Sequence, residues 1–203
     1  MSTMPPPPQF PVTQLEIDEP PAWPKTIGIV SIVWASLGLT CTGCGVLGLA
    51  AQPFMKQIMQ GQKTRDGQPI PDMPQVMLAG PVEWLQMIVG AAVVVLLLVA
   101  GIWLVKRKPQ ARQMHLIYAG ISIVTTIVGT VLAVQKQSAI AEWARNNADN
   151  FWAQQNGQSG MIGQLSLVIG ALLGLAYPAF VLVWFLFIKK NPAEIAAGVE
   201  EPL

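Results

Sequence analysis

Apolar and polar positions along this chain alternate in long blocks rather than with a helical or strand period. Four stretches, 27–51, 82–105, 114–135 and 163–188, are almost free of charge. Each is about 20 residues or longer, enough to cross a hydrocarbon core about 30 Å thick. Without water to satisfy the backbone, such stretches must be helices. Helices of soluble bundles keep a polar face, and these do not. The pattern predicts an all-α membrane protein with four transmembrane helices in two hairpins. Residues 1–24 read as a disordered, Pro-rich cytoplasmic tail, 25–190 as the transmembrane domain and 191–203 as a short cytoplasmic tail.

The segments between spans carry patterns of their own. In the first outer loop, Phe54, Met55, Ile58 and Met59 share one helical face, followed by a proline-punctuated return. In the second, Ile140, Trp143, Ala144, Ala148, Phe151 and Trp152 recur with helical spacing. That spacing predicts an amphipathic helix, ended by Gly157 and Gly160, that extends the third span outward or lies on the membrane surface. Trp143, Phe151 and Trp152 are the candidates for contact at the outer surface. Pro24 marks the first helical turn of span one, with the helix beginning at Lys25.

Within the spans, small residues recur every four positions, the spacing that lets helices approach closely in lipid. Ser36, Thr40, Cys44 and Gly48 form one such row, with Gly38, Cys41 and Gly45 beside it. Ser166, Gly170, Gly174 and Pro178 form another. These rows predict close packing among helices one, three and four, with the bulkier second helix facing more lipid. Pro178 removes a backbone donor from helix four and predicts a kink.

Composition agrees with this picture. Charged residues make up 11% of the 203 positions, against about 25% in soluble domains. A net charge of +1 gives no reason to expect nucleic acid. The first 24 residues hold eight prolines and no lysine or arginine, unlike a signal peptide. A lipoprotein signal fails as well, because no leucine stands three residues ahead of Cys41 or Cys44.

Basic residues set topology by their density in short loops. Lys106, Arg107, Lys108 and Arg112 crowd the turn between spans two and three, and Lys189-Lys190 close the last span. The positive charges on the other side, Lys56, Lys63, Arg65, Lys136 and Arg145, are spread over two longer loops. Both termini are therefore expected in the cytoplasm, in a multi-pass protein of the bacterial inner (plasma) membrane.

Candidate chemistry is sparse. No Asp, Glu, Lys or Arg lies in the middle of a span, which argues against an ion-coupled transporter. Glu83 reads as a solvated acid at a helix start, and His115 as an interfacial histidine. Two cysteines and one distant histidine do not complete a zinc shell. No cofactor or metal is expected.

Cys41 and Cys44 stand as Cys-x-x-Cys in "CTGC". With four spans, this resembles the bacterial disulfide-generating membrane oxidases, four-helix bundles that bind a quinone. Those enzymes use a second cysteine pair in an outer loop, and this chain has no further cysteine. Cys41 lies 16 residues past Lys25, about 24 Å along a helix, toward the C-terminal, negative end of the dipole, which disfavours a thiolate. The Pro-rich tail, "WPKTIGIVSIVW" and the glycine-rich first span also resemble small uncharacterised bacterial four-span membrane proteins. That resemblance covers the first ~50 residues and implies no activity.

The expected function is non-enzymatic: an assembly, scaffold or regulatory subunit, partnered by lipid and by another membrane protein or a second copy of itself. The alternatives are a small transporter or oligomeric pore and, after those, thiol-disulfide exchange at Cys41 and Cys44.

Overall fold

A computed structural model describes residues 21–60, 62, 63, 67 and 69–188, without the side chains of 60 and 156–162. Most of the Pro-rich tail, the C-terminal tail, Arg65 and Lys189-Lys190 lie outside the described residues. Four long helices dominate: α1 (Trp23–Gln60), α2 (Pro81–Val105), α3 (Ala111–Asn146) and α4 (Phe151–Val183). A 3-10 turn (Gln75–Met77) precedes α2, and a π-helical turn (Trp184–Ile188) follows α4. No strand occurs among the described residues. All four helices are long and apolar enough to cross a membrane.

The elements form where local chemistry favours them. Pro24 sits in the first turn of α1, where a missing N–H costs no helical bond. The helix starts at Trp23, two residues before the expected Lys25. Pro81 opens α2, and the Glu83 carboxylate accepts a 2.7 Å bond from the Gly80 amide, satisfying one orphan donor. Between α2 and α3 the chain reverses at 106–110, with Arg107 in the left-handed region at φ 54°.

Neighbouring helices run antiparallel. Gly28 meets Gly101 and Val105, Gly38 meets Val94, and Gly45 meets Met87, so α1 and α2 stay together over most of their length. Gly174 faces Thr126, and the Gln137 side chain reaches the Gly163 carbonyl, which pairs α3 with α4. The expected arrangement of the second helix is corrected here. Rather than facing more lipid than the other helices, α2 is the helix that α1 lies against, and it also packs on α3, while residues such as Leu85 and Ile88 keep one face exposed. Gly28 and Gly101 cause this, because two residues without side chains let the backbones touch.

In the second outer loop α3 runs on outward to Asn146, one of the two expected courses, but the segment does not continue unbroken to Gly157: the chain turns at 147–150, and α4 begins at Phe151. The Asn150 side chain accepts a 3.0 Å bond from the Trp152 amide, capping the new helix. The Asn147 side chain donates back to the Trp143 carbonyl at 2.8 Å. Gly157 and Gly160 therefore fall inside α4 and terminate nothing.

Several helices are much longer than a bilayer requires. At 38 residues α1 is about 57 Å long. The ends of α1, α3 and α4 remote from the 106–110 turn project as a small head. The return from α1 to α2 is held against this head where Trp152 Nε1 donates to the Pro71 carbonyl at 2.8 Å. The buried core lies at the opposite end. Leu97, Ala100, Leu104, Ala111, Ala119, Val181 and Phe185 are all within a few turns of 106–110 and almost fully enclosed. Farther toward the head, α1 and α4 present exposed faces such as Leu47, Leu165 and Leu172.

Candidate functional site

Among the described residues, the most enclosed polar side chains lie in that core. Ser31 of α1 and His115 of α3 are 0% exposed, and Tyr177 of α4 is 7% exposed. Ser31 Oγ lies 3.0 Å from His115 Nε2 and 2.6 Å from the Tyr177 hydroxyl. His115 Nδ1 lies 2.8 Å from the Ala111 carbonyl, and Ser31 Oγ lies 2.8 Å from the Ile27 carbonyl. Three helices are thus joined by one hydroxyl.

The hydrogens can be assigned by counting. A carbonyl only accepts, so His115 Nδ1 carries a hydrogen. In the neutral ring Nε2 then accepts, and among the described residues its donor is Ser31, whose hydrogen is shared with the Ile27 carbonyl. The Tyr177 hydroxyl in turn donates to Ser31 Oγ. Every member is satisfied, and the Ile27 carbonyl keeps its ordinary helical partner. Such complete pairing matters in a low-dielectric interior, where each orphaned group costs free energy.

Aromatic rings seal the network. Phe185 lies 5.1 Å from the His115 ring, Trp34 stacks on Tyr177 at 5.5 Å, and Trp23 meets Phe185 edge-on at 6.2 Å. Arg112 anchors the π-helical turn from outside, its guanidinium donating twice to the Phe185 carbonyl at 3.1 and 3.3 Å. The serine and histidine have the chemistry of a nucleophile and base. Their complete enclosure, and the commitment of the serine to two partners, makes them a fastening between helices.

A second polar contact closes the other end of the bundle. Glu83 of α2 pairs with Lys136 of α3, which also donates to the Leu78 carbonyl at 3.0 Å. The Gln52 side chain of α1 accepts from the Ala79 amide at 3.2 Å. These bonds tie the return segment to three helices. Both charged side chains are about 30% exposed, so the pair contributes only about 1 kcal/mol. Lys136→Met removes two contacts at once. Trypsin cleavage at Lys63 in folded, detergent-solubilised protein is expected to become severalfold faster, and an unchanged rate would show that Lys136 does not hold this segment.

Residues singled out from the sequence distribute as follows. His115, expected at an interface, is fully buried. Glu83, expected to be solvated, is half-buried against Lys136. Ser36, Thr40, Cys41, Cys44 and Gly48 lie exposed on α1, with the Ser36 and Thr40 hydroxyls donating to Ile32 and Ser36 carbonyls of their own helix. Both cysteines are free thiols. No neighbour lies within 4 Å of a Cβ built on Gly48 or Gly170, whereas at Gly174 Thr126 stands 3.1 Å away. Trp143 and Phe151 are half-buried, and Trp152 is buried within the head, its ring 5.3 Å from that of Phe151.

Sequence reasoning passed over Ser31 and Tyr177. A partial signal existed: Ser31 lies six residues past Lys25 and Tyr177 twelve before Lys189, each a polar group within a stretch free of charge. Among the described residues, no group of three or more His, Cys, Asp or Glu is placed to hold a metal ion. No protein family, curated protein or solved structure matches the chain.

Proposed function

We propose that this protein is an assembly, scaffold or regulatory subunit of a membrane complex, working through helix faces and its projecting head. The observation that carries this reading is the unpartnered face of α1. Ser36, Thr40, Cys44 and Gly48 lie exposed in an i+4 row, while the glycines that hold α1 to α2 are Gly28, Gly38 and Gly45. A helix that uses one set of small residues inside the bundle keeps the other for a neighbouring transmembrane helix, whether of a different protein or a second copy. The buried Ser31–His115–Tyr177 contacts support the same reading, since their polar groups are spent on one another. Basic residues crowded into 106–112 favour a bacterial inner membrane location with both termini in the cytoplasm.

The test is affinity purification of the full-length protein in mild detergent, followed by mass spectrometry and native sizing. A membrane partner or a homo-oligomer is expected at fixed stoichiometry. Thr40→Leu with Cys44→Leu should weaken that association about tenfold, the factor corresponding to 1.4 kcal/mol, with the melting temperature unchanged. A lone monomer would overturn the reading.

A further inference from the structure

The turn between α2 and α3 is closed by a specific set of bonds. The Arg107 amide donates to the Leu104 carbonyl at 3.0 Å and the Lys108 amide to the Trp103 carbonyl at 2.9 Å, with Arg107 left-handed at φ 54°. This paired closure of a helix end ordinarily puts glycine in the left-handed position. An arginine there carries backbone strain, and its guanidinium offsets it by donating to the Pro21 carbonyl at 3.0 Å. The next residue usually makes an apolar contact back to the helix. Here Lys108 Nζ lies 5.5 Å from the centre of the Trp103 ring instead. The turn thus holds Lys106 and Lys108 in defined places. Both are exposed, and neither ammonium has a carboxylate partner among the described residues.

Charge is divided unevenly between the two ends of the bundle. Lys25, Arg107 and Arg112 accompany the two lysines at the turn, and no described acidic residue lies there. At the head the described charges balance. Lys56 pairs with Asp72 at 3.9 Å and Lys136 with Glu83, while Glu142 and Asp149 accompany Lys63 and Arg145. Depth decides what the unbalanced end meets. Lys106 stands 23 positions past Glu83 along α2, about 35 Å of helix, close to the ~30 Å of a hydrocarbon core. With the Glu83–Lys136 pair at one boundary, the lysines of the turn reach the other, at the level of the lipid phosphates. Trp103, half-buried about one turn deeper, is the kind of ring that favours this interface.

We infer that the α2–α3 turn is a binding surface for the phosphate headgroup of an anionic lipid, with Lys106 and Lys108 as its donors and Trp103 seated in the interface beneath them. The lipid, rather than free phosphate, is the source, because the donors stand at headgroup depth above an exposed apolar wall. The contact is the same whichever leaflet this end meets.

Native mass spectrometry of the full-length protein in mild detergent, titrated with phosphatidylglycerol or phosphatidylcholine, tests the inference. Phosphatidylglycerol should bind about 25-fold more tightly, about fivefold for each lysine at an anionic surface. Lys106→Gln with Lys108→Gln should abolish that preference, and Lys106→Arg with Lys108→Arg should keep it. Both side chains are exposed, so the melting temperature without added lipid should not change. Lys63→Gln with Arg145→Gln removes the same charge from the head and should leave the preference intact. Equal binding of the two lipids would overturn the inference. So would a preference that survives the double glutamine variant, an equal loss in the head variant, or displacement of the lipid by excess inorganic phosphate.

Discussion

Gly28→Val is expected to abolish monodisperse folded protein in mild detergent, and Gly28→Ala to lower its stability by about 3 kcal/mol. A Cβ at Gly28 would lie 2.9 Å from the Gly101 carbonyl oxygen and 2.9 Å from the Val105 amide nitrogen. Both obstacles are backbone, so no rotamer change relieves them. A Cβ at Gly101 would in turn lie 2.9 Å from Ser31 Cβ and 3.0 Å from the Gly28 carbonyl oxygen. Either substitution forces α1 and α2 apart at the enclosed end of the bundle, beside Ser31. Gly45→Ala is the instructive contrast. Its Cβ would clash with Met87 Cε, the flexible end of an adaptable side chain, which can swing away at a cost of about 1 kcal/mol or less. At Gly48 and Gly170 nothing stands within 4 Å, so alanine there should leave stability unchanged or raise it by as much as about 1 kcal/mol through helix propensity. Melting followed by size-exclusion chromatography ranks the variants. A Gly28→Ala protein as stable as Gly48→Ala would refute the close crossing.

The same glycines show what was legible in the sequence. Span number and rough limits follow from hydrophobicity alone, because lipid leaves no alternative to a helix over such lengths. Which helices touch does not follow. Small residues spaced by four mark faces capable of close approach, and α1 carries two such faces. Only the fold shows that Gly38 and Gly45 meet Val94 and Met87, while Cys44 and Gly48 stay exposed. Helix ends were harder still. Gly157 and Gly160 suggested a stop, but the cap supplied by Asn150 and the turn at 147–150 decided it. The burial of His115 does not follow from the sequence either, because it depends on Phe185, 70 residues farther along the chain, whose ring lies 5.1 Å from the imidazole.

Ser31→Ala is expected to destabilise the bundle more than Tyr177→Phe, by about 1–3 kcal/mol. The order follows from the hydrogen count. Loss of the serine hydroxyl orphans two enclosed groups at once, His115 Nε2 and the Tyr177 hydroxyl. Loss of the tyrosine hydroxyl removes one donor and leaves the Ser31–His115 bond intact, a change comparable to interhelical bonds in membranes, about 0.6 kcal/mol on average. His115→Leu is intermediate in hydrogen bonding, because the Ser31 hydrogen can turn to the Ile27 carbonyl 2.8 Å away. Tyr177 has Ser31 as its hydrogen-bond partner, so the cost of Tyr177→Phe should vanish in a Ser31→Ala background. The two substitutions must therefore be strongly non-additive. Additive costs in a double-mutant cycle would break the proposed chain of bonds. A second measurement reads the same arrangement without mutation. His115 is the chain's one histidine, so nitrogen-15 labelling of histidine reports it alone. The spectrum at neutral pH should show Nδ1 protonated and Nε2 bare. The opposite tautomer would place a hydrogen between His115 and Ser31 from the ring side and reverse the direction in which α3 holds α1.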